Sequence, residues 1–113
     1  MPAIDASPEP PRSEVEATLG PVLLEFGSAW CGFCRAAQPA IAEATAAHPN
    51  VRHLKVEDGS GRPLGRSFRV KLWPTLVFLR DGVEVSRVVR PRTVAEIAPA
   101  LAAIDGDGSD RVA

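Results

Sequence analysis

Cys31 and Cys34 are the only cysteines in a chain of 113 residues, and they stand three apart in the stretch AWCGFCRAAQPAI (29–41). Two thiols at that spacing can hold a metal, close a structural disulfide, or open and close as a redox pair. The metal case has a formal basis, because Cys31, Cys34, His48 and His53 spell C-x2-C-x13-H-x4-H. A helix running from Cys34 to His48 would separate those two by ~20 Å at 1.5 Å per residue, whereas four ligands must lie ~2.0–2.3 Å from one zinc ion. His48-Pro49-Asn50 also ends a helix rather than continuing one. Both histidines therefore read as partly exposed residues, one at a helix end and one on a strand. A structural staple is also weak, since closing a four-residue loop removes only about 2 kcal/mol of unfolded-chain entropy.

The redox case accounts for more of the stretch. Residues three apart in the first turn of a helix share a face, so a tight turn can bring the two sulfurs within bonding distance. Cys31 would then face the unpaired N–H groups and positive dipole end that favour a thiolate, the attacking species in disulfide exchange. Trp30 supplies an apolar flank for a partner chain, Gly32 lets that chain approach, and Cys34 is placed a turn deeper to release it.

The elements that must position this pair follow from pattern. Residues 1–12, with four prolines, read as an extended arm, and 105–113 (DGDGSDRVA) as a disordered, solvated tail; 13–104 form one domain. Asp105, Asp107 and Ser109 imitate the first ligands of a calcium loop, but Asp110 occupies its required glycine position. Ser13 and Glu16 have capping-box spacing for a short helix ending at Gly20. PVLLEFGS (21–28) is a short, almost continuous apolar run, the pattern of a strand covered on both faces, and VRHLKVED (51–58) reads as a second buried strand. Between them a helix over about 31–47 is interrupted by Pro39. A loop follows, with a short helix near 64–68. PTLVFLRDGVEVSRVVR (74–90) reads as two strands joined at Asp81-Gly82. Thr93 and Glu96 then cap a last helix to about Ile104, kinked or shortened by Pro99. The order β-α-β-α-β-β-α predicts an α/β fold, a central mixed sheet with helices on both faces.

Thirteen basic against fourteen acidic side chains give a net charge of -1, with no global pull toward nucleic acid or membrane. No apolar run approaches the ~20 residues of a spanning helix, and the first residues lack the basic and apolar regions of a secretory leader. The expectation is a cytoplasmic monomer. Lys55 and Lys71 are the only lysines, and the bias to arginine and alanine suggests a GC-rich bacterial genome.

EFGSAWCGFCRAAQP (25–39) resembles the active-site segment of the thioredoxin family, a strand, W-C-G-P-C, and a helix with a proline five residues past the second cysteine, where Pro39 stands. WPTLVFLRDG (73–82) is similar to the family's second landmark, an apolar residue, a cis-proline, Thr and a strand. The resemblance runs from about Pro21 to Ile104. It implies a thioredoxin-like fold and reduction of protein disulfides, with Cys31 as nucleophile, Cys34 as resolving thiol and no cofactor beyond the Cys31–Cys34 disulfide. Electrons would come from a flavin-dependent thioredoxin reductase. It implies that Glu25, inside an apolar run, is the buried acid that shuttles the proton of the second cysteine. Buried and unpaired, such a group stays protonated or has a task; its plainer alternative is a strand-end Glu that finds solvent or an arginine. It further implies that Pro74 is cis and that Trp30, Gly32, Phe33, Trp73, Pro74, Thr75 and Arg90 line the substrate groove, with backbone groups of Trp73 pairing a substrate strand.

The departures are specific. Phe33 replaces a proline, Gly27 a tryptophan, and Leu72 and Arg90 replace glycines of the family pattern. An aromatic between the cysteines is similar to bacterial disulfide isomerases, so an isomerase or oxidase stands beside the reductase reading, as does an interaction module with incidental redox activity. Arg35, Lys71, Arg90 and Arg92 are expected to rim the site and favour acidic partners. Bulk is exchanged between Gly27 and Trp73, which suggests that the Trp73 ring covers the sulfurs from the side opposite Gly27; the alternative is an outward, partner-binding Trp73 with Gly27 admitting a neighbouring side chain.

Overall fold

The computed structural model describes residues 4–5 and 9–106. Its elements are β1 (Ile4–Asp5), α1 (Arg12–Ala17), β2 (Pro21–Gly27), α2 (Gly32–Ala46), β3 (Arg52–Glu57), α3 (Pro63–Ser67), β4 (Thr75–Arg80), β5 (Val83–Val89) and α4 (Val94–Ile104). They build one five-stranded sheet in the order β1-β3-β2-β4-β5. β2 runs parallel to β3, reached through the α2 crossover, and antiparallel to β4; β4 and β5 form the hairpin.

Side chains alternate along a strand, so β2 feeds two cores at once. Val22, Leu24 and Phe26 pack with Val15, Val56, Leu64, Phe68, Val77 and Leu79 on the α1/α3 side. Leu23 packs with Ala37, Ile41, Leu76, Phe78, Ile97 and Leu101 on the α2/α4 side. Glu25 has the parity of Leu23 and so belongs to the α2 face. That places a carboxylate beneath the helix that carries both cysteines.

Three local expectations change. The first helix begins at Arg12, one residue before Ser13, because the carbonyl of Pro11 takes the Glu14 and Val15 amides; Glu16 bonds Arg12 (3.4 Å) instead of closing a capping box. It stops at Ala17, and Gly20 lies in the link to β2. Within the stretch expected to be an extended arm, Ile4 and Asp5 pair in parallel with Leu54 and Lys55 of β3. Asp105, assigned to the solvated tail, bonds His48 (2.6 Å), which draws the carboxyl below its ordinary value. The remainder of that tail, 107–113, lies outside the described residues.

The hairpin turn is held from outside. Asp81 and Gly82 both have positive φ (52° and 80°), the form that suits a two-residue hairpin loop. The Asp81 carboxylate accepts from the Gly20 amide (2.7 Å), and a Cβ on Gly82 would fall 2.0 Å from the Glu16 carbonyl oxygen. Gly20 also has positive φ (85°) but open space around it. Gly20→Ala is therefore expected to cost about 1 kcal/mol, for backbone conformation alone. Gly82→Ala should cost at least about 2 kcal/mol more, because a carbonyl of α1 must move. Urea unfolding of the two variants compares them directly.

Candidate active site

Cys31 caps α2. Its backbone is extended (φ -82°, ψ 115°), and its sulfur accepts the Cys34 amide at 3.1 Å. Its own amide bonds the Ser28 carbonyl, and its carbonyl takes the Arg35 amide. Both thiols are free, Cys31 partly exposed and Cys34 7% exposed. Burial, together with the Cys31 neighbour, pushes the Cys34 thiol up to about 11 from its ordinary 9.0. The pair is thus an outer sulfur that a partner can reach and an inner thiol that holds its proton at neutral pH.

The glycine at position 27 explains how closely α2 lies on the sheet. A Cβ there would sit 2.7 Å from the Cys34 sulfur, and only Cys34 atoms lie within 4 Å of it. The space is therefore taken by the inner cysteine and not by Trp73, which corrects the expected exchange of bulk. The Trp73 indole turns toward the loop after β3 and donates to Asp58 (2.8 Å).

Behind Cys34, a cavity of about 320 Å³ is lined by Glu25, Gly27, Ser28, Ala29, Gln38 and Lys55 among others. Glu25 is 3% exposed and finds neither solvent nor an arginine. Its Oε1 lies 2.7 Å from Nε2 of His53, and its Oε2 accepts from Gln38 (2.7 Å), whose amide also reaches the Cys34 carbonyl. Burial raises this carboxyl, but the bonds from His53 and Gln38 and the charges of His53 and Lys55 outweigh it and hold it below its ordinary value. These partners favour the ionised form of Glu25. His53, read as partly exposed, is 5% exposed, and His48 is paired with Asp105. No group of three or more His, Cys, Asp or Glu able to hold a metal occurs among the described residues.

Around Cys31, Trp30 and Phe33 are 87% and 55% exposed, and Leu72 is exposed across the groove. Gly32 has open space beside it. The Trp73–Pro74 peptide is cis. Thr75 is buried and donates to the Leu72 carbonyl (2.6 Å), so its hydroxyl holds the loop instead of facing a partner. Arg90 has a left-handed backbone (φ 51°), bonds the Pro74 carbonyl through its amide, donates to the Trp73 carbonyl (2.8 Å), and lays its guanidinium 3.9 Å over the Phe33 ring. One of the two Trp73 backbone groups expected to receive a partner is therefore already taken. The basic rim is also redistributed. Arg35 leans on the Ala29 carbonyl, whereas Lys71 joins Arg62, Arg66 and Arg69 around a separate hollow of about 720 Å³.

Two outcomes test this geometry. A raised thiol stabilises the fold fully below the unfolded value of 9.0 and loses that contribution as pH rises through about 11. The stability of the reduced protein relative to Cys34→Ser should therefore fall between pH 9.0 and about 11, as read by denaturant unfolding. Gly27→Ala and Trp73→Ile should be additive within about 0.5 kcal/mol, because the two positions share no cavity.

The thioredoxin family model matches residues 6–103. Thioredoxin Asp f 28 of Aspergillus fumigatus is 31% identical over 85 residues, 75% of this chain and 79% of that protein. Thioredoxin-2 of Pyricularia oryzae is 38% identical over 68 residues, 60% of this chain and 40% of its own length, so the matched part is less than half of that relative. Among solved structures, thioredoxin 2 from Pseudomonas aeruginosa PAO1 in its reduced form is 58% identical, covers 84% of this chain and 88% of its own, and superposes with a TM-score of 0.76. With the cysteine pair on the first turn of α2, the cis-proline before β4 and the family match over most of its length, the chain belongs to the thioredoxin family.

Proposed function

We propose that this protein reduces disulfides of other proteins by dithiol exchange. The observation that carries the reading is the asymmetry of the pair, a reachable Cys31 sulfur bonded by an amide at a helix N-terminus and a buried, protonated Cys34 one turn below. The Cys31 sulfur attacks the partner's disulfide, forms the mixed disulfide and displaces one partner thiolate. Cys34 then attacks the Cys31 sulfur, which closes the Cys31–Cys34 bond and releases the second partner thiolate. A thiol with a pKa of about 11 needs a base for that step. Glu25 is the ionised acceptor, and the cavity lined by both residues has room for a water to carry the proton. Trp30, Phe33 and Leu72 supply an apolar collar for the partner.

The oxidised pair is returned to dithiol by a thioredoxin-reductase-like flavoprotein, with no bound cofactor in this chain. We assign the protein to the cytoplasm as a monomer; no helix among the described residues is long and apolar enough to cross a membrane. The aromatic Phe33 between the cysteines, covered by the Arg90 guanidinium, favours a second reading, since the residues between the cysteines tune the potential of the pair. A midpoint potential near about -270 mV supports the reductase, and one above about -200 mV an isomerase or oxidase. Partner binding that survives conversion of both cysteines to serine would instead identify an interaction module.

Cys31→Ser should abolish reduction of a model disulfide protein, and Cys34→Ser should accumulate a mixed disulfide through Cys31. Trapping through Cys34 instead would reverse the assignment. Glu25→Gln should slow the resolving step at least about tenfold near neutral pH and leave the first attack unchanged, as followed by quenched single-turnover mass analysis.

A further inference from the structure

Glu25 is asked to accept a proton from a place where burial alone would protonate it. Which group prevents that is legible in the sheet. β2 and β3 run in parallel register with Glu25 opposite Lys55, so His53, two residues earlier on β3, lies on the same face. Its imidazole is almost completely enclosed and places Nε2 2.7 Å from Oε1 of Glu25. The other charged and polar groups facing the carboxylate are accounted for. From α2 come Gln38, bonded to Oε2, and Cys34; Arg35 lines the same cavity. From β3 come Lys55, whose ammonium lies 3.4 Å from the Gln38 carbonyl oxygen, and Glu57 on the cavity wall. Gln38 gives a neutral hydrogen bond, and Lys55 acts from behind it. His53 is the only one of these groups that both touches the carboxylate and can carry positive charge.

We propose that His53 is a positioning residue for catalysis, locking the buried Glu25 carboxylate in place and keeping it ionised, so that it can take the Cys34 proton. This rests on the role given to Glu25 above. The step balances as follows: the Cys34 S–H proton passes to Glu25, the Cys34 sulfur bonds the Cys31 sulfur, and the Cys31–partner bond breaks with its electron pair on the partner sulfur. The partner thiolate takes its proton from water, and Glu25 returns its own through the cavity. Without His53, burial would act on Glu25 against Gln38 and Lys55 alone and raise the carboxyl, leaving less of it free to accept a proton.

The variants are His53→Leu, of similar bulk, and His53→Val, which suits a strand if leucine packs poorly. His53→Gln keeps a neutral donor. Two readouts are made on the reduced full chain. In single-turnover reaction with a disulfide peptide, His53→Leu should leave the first attack unchanged and slow resolution, about twofold at the pH that equals the raised carboxyl value and about tenfold for each pH unit below it. The acidic limb of its pH profile should move upward, and His53→Gln should recover most of the loss. A limb that coincides with the parent's, when Glu25→Gln has lost activity, makes His53 merely structural and overturns the proposal. The second readout does not depend on catalysis. At pH 7 the infrared spectrum of His53→Leu should gain a buried protonated carboxyl band, absent from the parent and abolished by adding Glu25→Gln. No such band in either apolar variant overturns the proposal whatever the kinetics. A band that appears while Glu25→Gln resolves at the parent rate keeps His53 as the group that ionises Glu25, and removes Glu25 from the mechanism.

Discussion

The Cys34 sulfur occupies the space where the first side-chain carbon of residue 27 would otherwise stand. Much else follows from that contact. α2 can lie this close to the end of β2 only because position 27 has no side chain, and the closeness is what buries the inner thiol and raises it. A buried thiol is a poor nucleophile until something removes its proton. The sheet face beneath it must therefore supply a polar group, although burying one is expensive. Glu25 is the group we propose for that task, and its burial is offset because β3 and α2 bring three partners to it, two through hydrogen bonds and one through charge. One close packing contact thus carries the demand for a buried polar network.

The apolar runs were sufficient to read the sheet and the large helices. β2 and β4 contain few residues that tolerate solvent, the hairpin is marked by Asp81-Gly82, and α2 starts at the cysteine motif. Helix ends were harder, because Pro11 competed with Ser13 for the start of α1 on backbone geometry that no side-chain pattern reveals. The pairing of Ile4–Asp5 is a long-range event that two residues cannot announce.

The chemistry was legible where it was local. Cys31, Cys34, Pro74 and Glu25 stand in recognisable surroundings in the chain, and each falls at one end of the sheet. His53 was missed because a lone histidine in an apolar strand carries no sign of its partner. The signal lay in the register, since a residue two before the one opposite Glu25 shares its face, and registers are set only when strands pair. The arginines were misjudged for a related reason. Charge counted along a sequence says nothing about which guanidinium is spent on a carbonyl. Arg90 is committed to Trp73 and Phe33, whereas Arg62, Arg66 and Arg69, in and around the short helix α3, are gathered with Lys71.

At the pole away from the cysteines, the β4–β5 turn meets three separate pieces of backbone. Asp81 takes the Gly20 amide, Gly82 abuts the Glu16 carbonyl, and Arg80 donates to the Ile104 carbonyl at the end of α4. Hairpin tips usually make good places to splice in a tag, a loop or a second domain, because little rests on them. This one is a junction. Residues grafted between Asp81 and Gly82 would prise the first helix, the entry to β2 and the last helix apart together.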